Sequence, residues 1–89
     1  MQLEKIVEKA EQYFVDVVEE GSDQDLFIAG YVQGHFSLGL AKLQSYETQS
    51  TEQLKAIIDK NLDQAFADKE LEEPDQQQAR KLVETLFSS

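Results

Sequence analysis

Cysteine is absent from the 89 residues. Disulfides, zinc–thiolate centres and thiol nucleophiles are thereby excluded. Stability must come from apolar burial, which fits a reducing compartment. Basic residues are scarce: 8 lysines and arginines stand against 18 acids, for a formal net charge of −10. That balance disfavours nonspecific nucleic-acid binding and anionic membrane surfaces, both of which attract positive charge. It is compatible with a basic protein partner, although an acidic surface also serves solubility alone. Long hydrophobic runs are missing too. The most apolar stretch, Leu26 to Leu43, is interrupted by Gln33, His35, Ser37 and Lys42, too polar for a membrane span. The opening residues MQLEKIVEKA intersperse charge among apolar positions and do not read as a signal peptide. A cytoplasmic location is expected.

What remains is a globular composition, with 40% hydrophobic and 29% charged residues. The length predicts a single domain with a thin core, burying somewhat over ~60% of the surface its unfolded chain exposes.

Hydrophobic periodicity predicts four helices. Leu3, Ile6, Val7, Ala10, Phe14, Val17 and Val18 recur at helical spacing, giving a first helix over residues 2–20. Gly21 suits a helix stop, since glycine accepts the left-handed conformation common there. Ser22 and Asp25 then form a capping-box pattern for a second helix over 23–45. That helix is apolar on most sides, which places it at the centre of the fold. It contains Gly30, Gly34 and Gly39, each costing about 1 kcal/mol relative to alanine in a helix interior. Gly30, Gly34, Ser37 and Ala41 share one face. A helix-packing role is expected for Gly30, Gly34 and Gly39, because a side-chain-poor surface lets another backbone approach; the alternative for the Gly30–Gly34–Ser37–Ala41 face is a groove for a partner helix or ligand.

SYETQS reads as a connection. Ser50 and Gln53 repeat the capping pattern, and Leu54, Ile57, Ile58, Leu62, Ala65 and Phe66 give a third helix over 51–67. Leu71 is expected to pin the following acidic turn to the core. Pro74 suits the first position of a fourth helix over 74–88, with Glu70, Glu72, Glu73 and Asp75 near its positive end. Short links between sequential helices predict an all-α, antiparallel four-helix bundle with a buried, glycine-containing second helix.

The stretch D-x-D-L-F-x-A-G-Y-x-x-G-H-F-x-L, Asp23 to Leu38, resembles the signature of the YfcL-like family. Gly30 to His35 is its most telling part. The likeness extends to Glu70–Leu71 and to the E-x-L-F ending at Glu84–Phe87. These are small gamma-proteobacterial proteins without an assigned biochemical activity. The resemblance implies a helical, cytosolic bacterial protein and carries over no catalytic residue.

Three features merit weighing as chemistry. His35 is the only histidine and lies one helical turn from Tyr31, so the two are candidate ligand or interaction residues. One reading is a general base beside a phenol; the other is a structural histidine at a helix seam, which the absence of a visible partner favours. Glu19, Glu20, Asp23 and Asp25 cluster between the first two helices. They lack EF-hand ligand spacing, and helix capping accounts for part of the cluster, so no metal is expected. No phosphate-cradling motif or nucleophilic triad is visible, and no catalytic or cofactor-binding residue is assigned.

The reading that follows is a non-enzymatic interaction or structural module. Its alternative is a small-molecule-binding or enzymatic domain with a pocket near Tyr31 and His35. A homodimer is a third possibility, motivated by Tyr13 and Val15 at the edge of the first apolar stripe.

Overall fold

Side-chain caps set the starts of α2 and α3. A computed structural model describes residues 3–88. In them α1 runs Leu3–Glu20, α2 Asp23–Leu43, α3 Thr51–Ala67 and α4 Glu73–Phe87; the expected start at residue 2 lies outside the described residues. The Ser22 hydroxyl accepts from the Asp25 N–H at 3.1 Å, and the Asp25 carboxylate accepts from the Ser22 N–H at 3.2 Å. Two free backbone donors at the start of α2 are thereby satisfied reciprocally. At α3 only half of the box forms. The Gln53 N–H donates to the Ser50 hydroxyl at 3.2 Å, while the hydroxyl donates to the Gln53 side-chain carbonyl.

Three boundary expectations are corrected. Gly21 does not adopt a left-handed conformation. Its lack of a side chain matters instead, because a Cβ there would lie 2.7 Å from the Val17 carbonyl oxygen. α2 stops at Leu43 rather than 45. α4 begins at Glu73 with Glu72 as its N-cap, so Pro74 takes the second helical position, where its missing N–H is equally free of cost.

The residue that does turn left-handed is Lys69, at φ 60°. It closes α3 in a Schellman arrangement: the Glu70 N–H reaches the Ala65 carbonyl at 3.1 Å, and the Lys69 N–H reaches Phe66 at 3.0 Å. A lysine there pays a steric cost that glycine avoids. Lys69→Gly is therefore expected to raise the unfolding free energy by about 1 kcal/mol, read as a shifted urea midpoint at unchanged slope. A lower midpoint would refute it.

Side-chain pairs set the helix directions. Lys55 meets Glu84 at 2.9 Å and Asp63 pairs with Arg80, so α3 and α4 run in opposite senses. The Lys9 ammonium donates to the carbonyls of Thr85 and Ser88, both at 2.9 Å. With Tyr13, one turn further along α1, beside Gln78, Lys81 and Leu82, this makes α1 antiparallel to α4, and Lys9 places a cation at the negative end of the α4 dipole. Gly39 lies against Leu54 and Ile58, Lys42 lies near Gln53 and Ala56, and His35 near Gln64 and Ala65, which sets α2 antiparallel to α3. α2 touches each of the other three helices. One core joins all four, including Ile6, Phe14, Ile28, Val32, Leu54, Ile58, Leu62, Val83 and Leu86, and Leu71 is buried in it from the α3–α4 turn. Each such large side chain contributes roughly 1.5–3 kcal/mol by leaving water. No strand occurs among the described residues, and no helix among them is long and apolar enough to cross a membrane.

The central position of α2 does not make it buried all round. Leu26, Phe27 and Leu38 are exposed by 38%, 50% and 63%, and Val18 of α1 by 71%. Val18 thus leaves the buried stripe assigned to it, while its neighbour Val17 stays inside.

Candidate functional site

Two places on the molecule hold the residues singled out by the sequence. The first is the Tyr31–His35 pair on α2. Their rings tilt at 55° with centroids 4.8 Å apart, as expected for side chains one turn apart on a helix face. The Tyr31 hydroxyl donates to the Glu70 carboxylate at 3.0 Å, tying α2 to the turn that Lys69 creates. Burial, then the hydrogen bond to Glu70 and its negative charge, push the Tyr31 phenol up from its ordinary 10.0 to about 12. His35 is half-buried, and its Nδ1 is buried with no hydrogen-bond partner among the described residues. Together with Leu38, Lys42, Asn61, Gln64 and Glu70 it lines an open depression of about 390 Å³.

This geometry suits support better than proton transfer. A general base needs an orienting partner on its second nitrogen, and the Nδ1 of His35 meets none here. A phenol held to about 12 stays protonated at neutral pH. The linkage gives a pH prediction. The phenol's proton is bound more tightly in the folded chain than in the unfolded one. The stability it confers is therefore complete below pH 10 and is lost as the pH rises through about 12. In an ultraviolet titration Tyr31 is expected to ionise above 10, and Tyr31→Phe to remove that late component. A Tyr31 transition at 10 would refute it.

The second place is the outer face of α1 and α2. Gly30 and Gly34 were expected to pack against a helix of the chain, and they do not: both are exposed, and a Cβ at either would meet nothing within 4 Å. The physical reason is rotation of α2. Its inward face carries Ile28, Ala29, Val32, Phe36, Gly39 and Leu43, which turns the Gly30–Gly34–Ser37–Ala41 face to solvent. Gly39 alone sits at a close helix contact, where a Cβ would lie 3.0 Å from the Ile58 Cγ1.

Beside Gly30 an open groove of about 700 Å³ runs between α1 and α2, with Val15, Val18, Leu26 and Gln33 along it. Two charged residues line it, Glu11 and Glu19, and both are acidic. Tyr13, paired with Val15 in the sequence reading, is half-buried. It packs against the core on the α4 side, near Ile28 and Leu82. Val15 remains exposed by 52%. The sequence reading missed Val18, Leu26, Phe27 and Leu38 as surface residues. A signal for this face was present in the charge pattern: no aspartate, glutamate, lysine or arginine occurs from Leu26 to Ala41, an unusual gap if part of that face meets water.

The acidic cluster behind α1 is partly committed. The Asp25 carboxylate caps α2. Among the described residues no three or more histidines, cysteines or acids are grouped to hold a metal ion.

Comparison with known proteins adds a family but no chemistry. A curated relative from Escherichia coli (strain K12), named "Uncharacterized protein YfcL", is 32% identical over 71 residues, covering 80% of this chain and 77% of the relative. No solved structure matches the chain. The model of the family described as "YfcL protein" matches residues 4–88, and the chain belongs to that family.

Proposed function

We propose that the chain is a non-enzymatic protein-interaction module of the cytoplasm, working through the outer α1–α2 face. The observation that carries this reading is the company of Val15, Val18 and Leu26. These are large apolar side chains exposed along the groove between α1 and α2, in a chain with 29% charged residues. Contiguous exposed apolar surface of this kind marks interaction sites rather than ordinary solvated helices. The Tyr31–His35 pair supports the alternative, a small-molecule or enzymatic site, less well. Its phenol is engaged by Glu70 and its imidazole lacks an orienting partner.

Site-specific photocrosslinking in cells tests this. A photoreactive residue at Val18 or Phe27 is expected to give discrete protein adducts, and one at the exposed Gln77 of α4 to give none. Equal labelling from both faces, or none from Val18 and Phe27, would overturn the reading.

A further inference from the structure

Resting on that interaction reading, we infer that the α1–α2 groove accepts an amphipathic helix of a partner protein whose apolar stripe is flanked by lysine or arginine. The groove's shape and its charge both support this occupant. Val15, Val18 and Leu26 offer apolar walls exposed by 52%, 71% and 38%, and Gly30 opens a notch between them where no side chain intrudes. A guest helix places residues three and four apart along such a groove, with one large side chain over the notch.

Charge selects the partner. From Ala10 to Ala41 the chain has no lysine or arginine, while Glu11, Asp16, Glu19, Glu20, Asp23 and Asp25 are all acidic. The two charged residues in the groove lining belong to that set. A basic flank therefore meets Glu11 and Glu19 in the groove lining, whereas a second copy would bring the same acids and another net charge of −10. An anionic lipid surface is opposed for the same reason.

The test uses the full chain and a fluorescent model peptide of about 18 residues, five helical turns, with leucines at helical spacing and lysines elsewhere. A second peptide replaces every lysine by glutamate. Anisotropy titration is expected to show binding of the leucine–lysine peptide and none of its acidic counterpart. Amide chemical-shift changes should cluster at Val15, Val18, Leu26, Gly30 and Gln33.

Val18→Glu then separates groove docking from bulk attraction. It adds negative charge at a highly exposed position, so attraction by charge alone would hold or strengthen. Groove docking is expected to weaken at least tenfold. Unchanged or tighter binding to Val18→Glu, or shifts spread over all acidic surfaces, would overturn the inference. Equal binding of the acidic peptide would overturn the basic-partner inference and leave the interaction module standing. So would dimerisation in sedimentation that Val18→Glu abolishes. Absence of Val18-dependent binding, together with absence of crosslinks from Val18 and Phe27 in cells, would remove both.

Discussion

Ile58→Ala is expected to lower the unfolding free energy by about 3–4 kcal/mol, within the range for truncating a buried isoleucine. Ile58 has no exposed surface and sits on α3 under the Gly39 notch of α2. Its loss removes transfer free energy and leaves a void that two helix backbones cannot easily close. A chain of this length has a total stability of roughly 4–13 kcal/mol, so the deficit is a large share of the whole and should be plain in urea unfolding. The same notch supplies an internal control. Gly39→Ala alone puts a methyl 3.0 Å from the Ile58 Cγ1 and 3.2 Å from the Leu54 Cδ1, so overpacking offsets the helix-propensity gain of about 1 kcal/mol. In the Ile58→Ala background the methyl has room, and Gly39→Ala is expected to become stabilising. An equal effect of Gly39→Ala in both backgrounds would show that the notch does not couple these helices.

The contrast among the three glycines shows where sequence reading reached its limit. The starts of α2 and α3 were legible because their signals are local: Ser22 and Asp25 lie within one turn, as do Ser50 and Gln53, and the capping hydrogen bonds form in full at α2 and by half at α3. The stripe of α3 was legible because apolar and charged residues alternate around it. The rotation of α2 was not. With leucine, phenylalanine or valine on several sides, apolar periodicity names no inward face, and burial was inferred where Leu26, Phe27 and Leu38 meet water. That error carried Gly30 and Gly34 into the core. Tyr31 and His35 were legible as neighbours one turn apart, but the Glu70 carboxylate that holds Tyr31 is 39 positions away. It arrives through a left-handed lysine, where no glycine marks the turn.

The double substitution Gly30→Ala and Gly34→Ala is expected to raise the unfolding free energy by about 2 kcal/mol, near 1 kcal/mol for each site. Both residues lie inside α2, and a Cβ at either meets nothing within 4 Å. The gain from reduced backbone freedom therefore has no steric cost against it. Urea unfolding should show a higher midpoint with unchanged slope, opposite in sign to the Ile58→Ala shift. An unchanged or lowered midpoint would mean that this face is covered in the folded chain in solution. The size of the expected gain also bears on function. Gly39 repays its cost by admitting Leu54 and Ile58, while Gly30 and Gly34 receive no such repayment from any contact among the described residues. A binding helix lying over the notch would recover that cost. The double variant should then be the more stable protein and the poorer binder of the leucine–lysine peptide, since the methyl at position 30 intrudes into the groove. Gained stability with undiminished binding would detach these glycines from the groove and leave its apolar walls, Val15, Val18 and Leu26, to hold the guest alone.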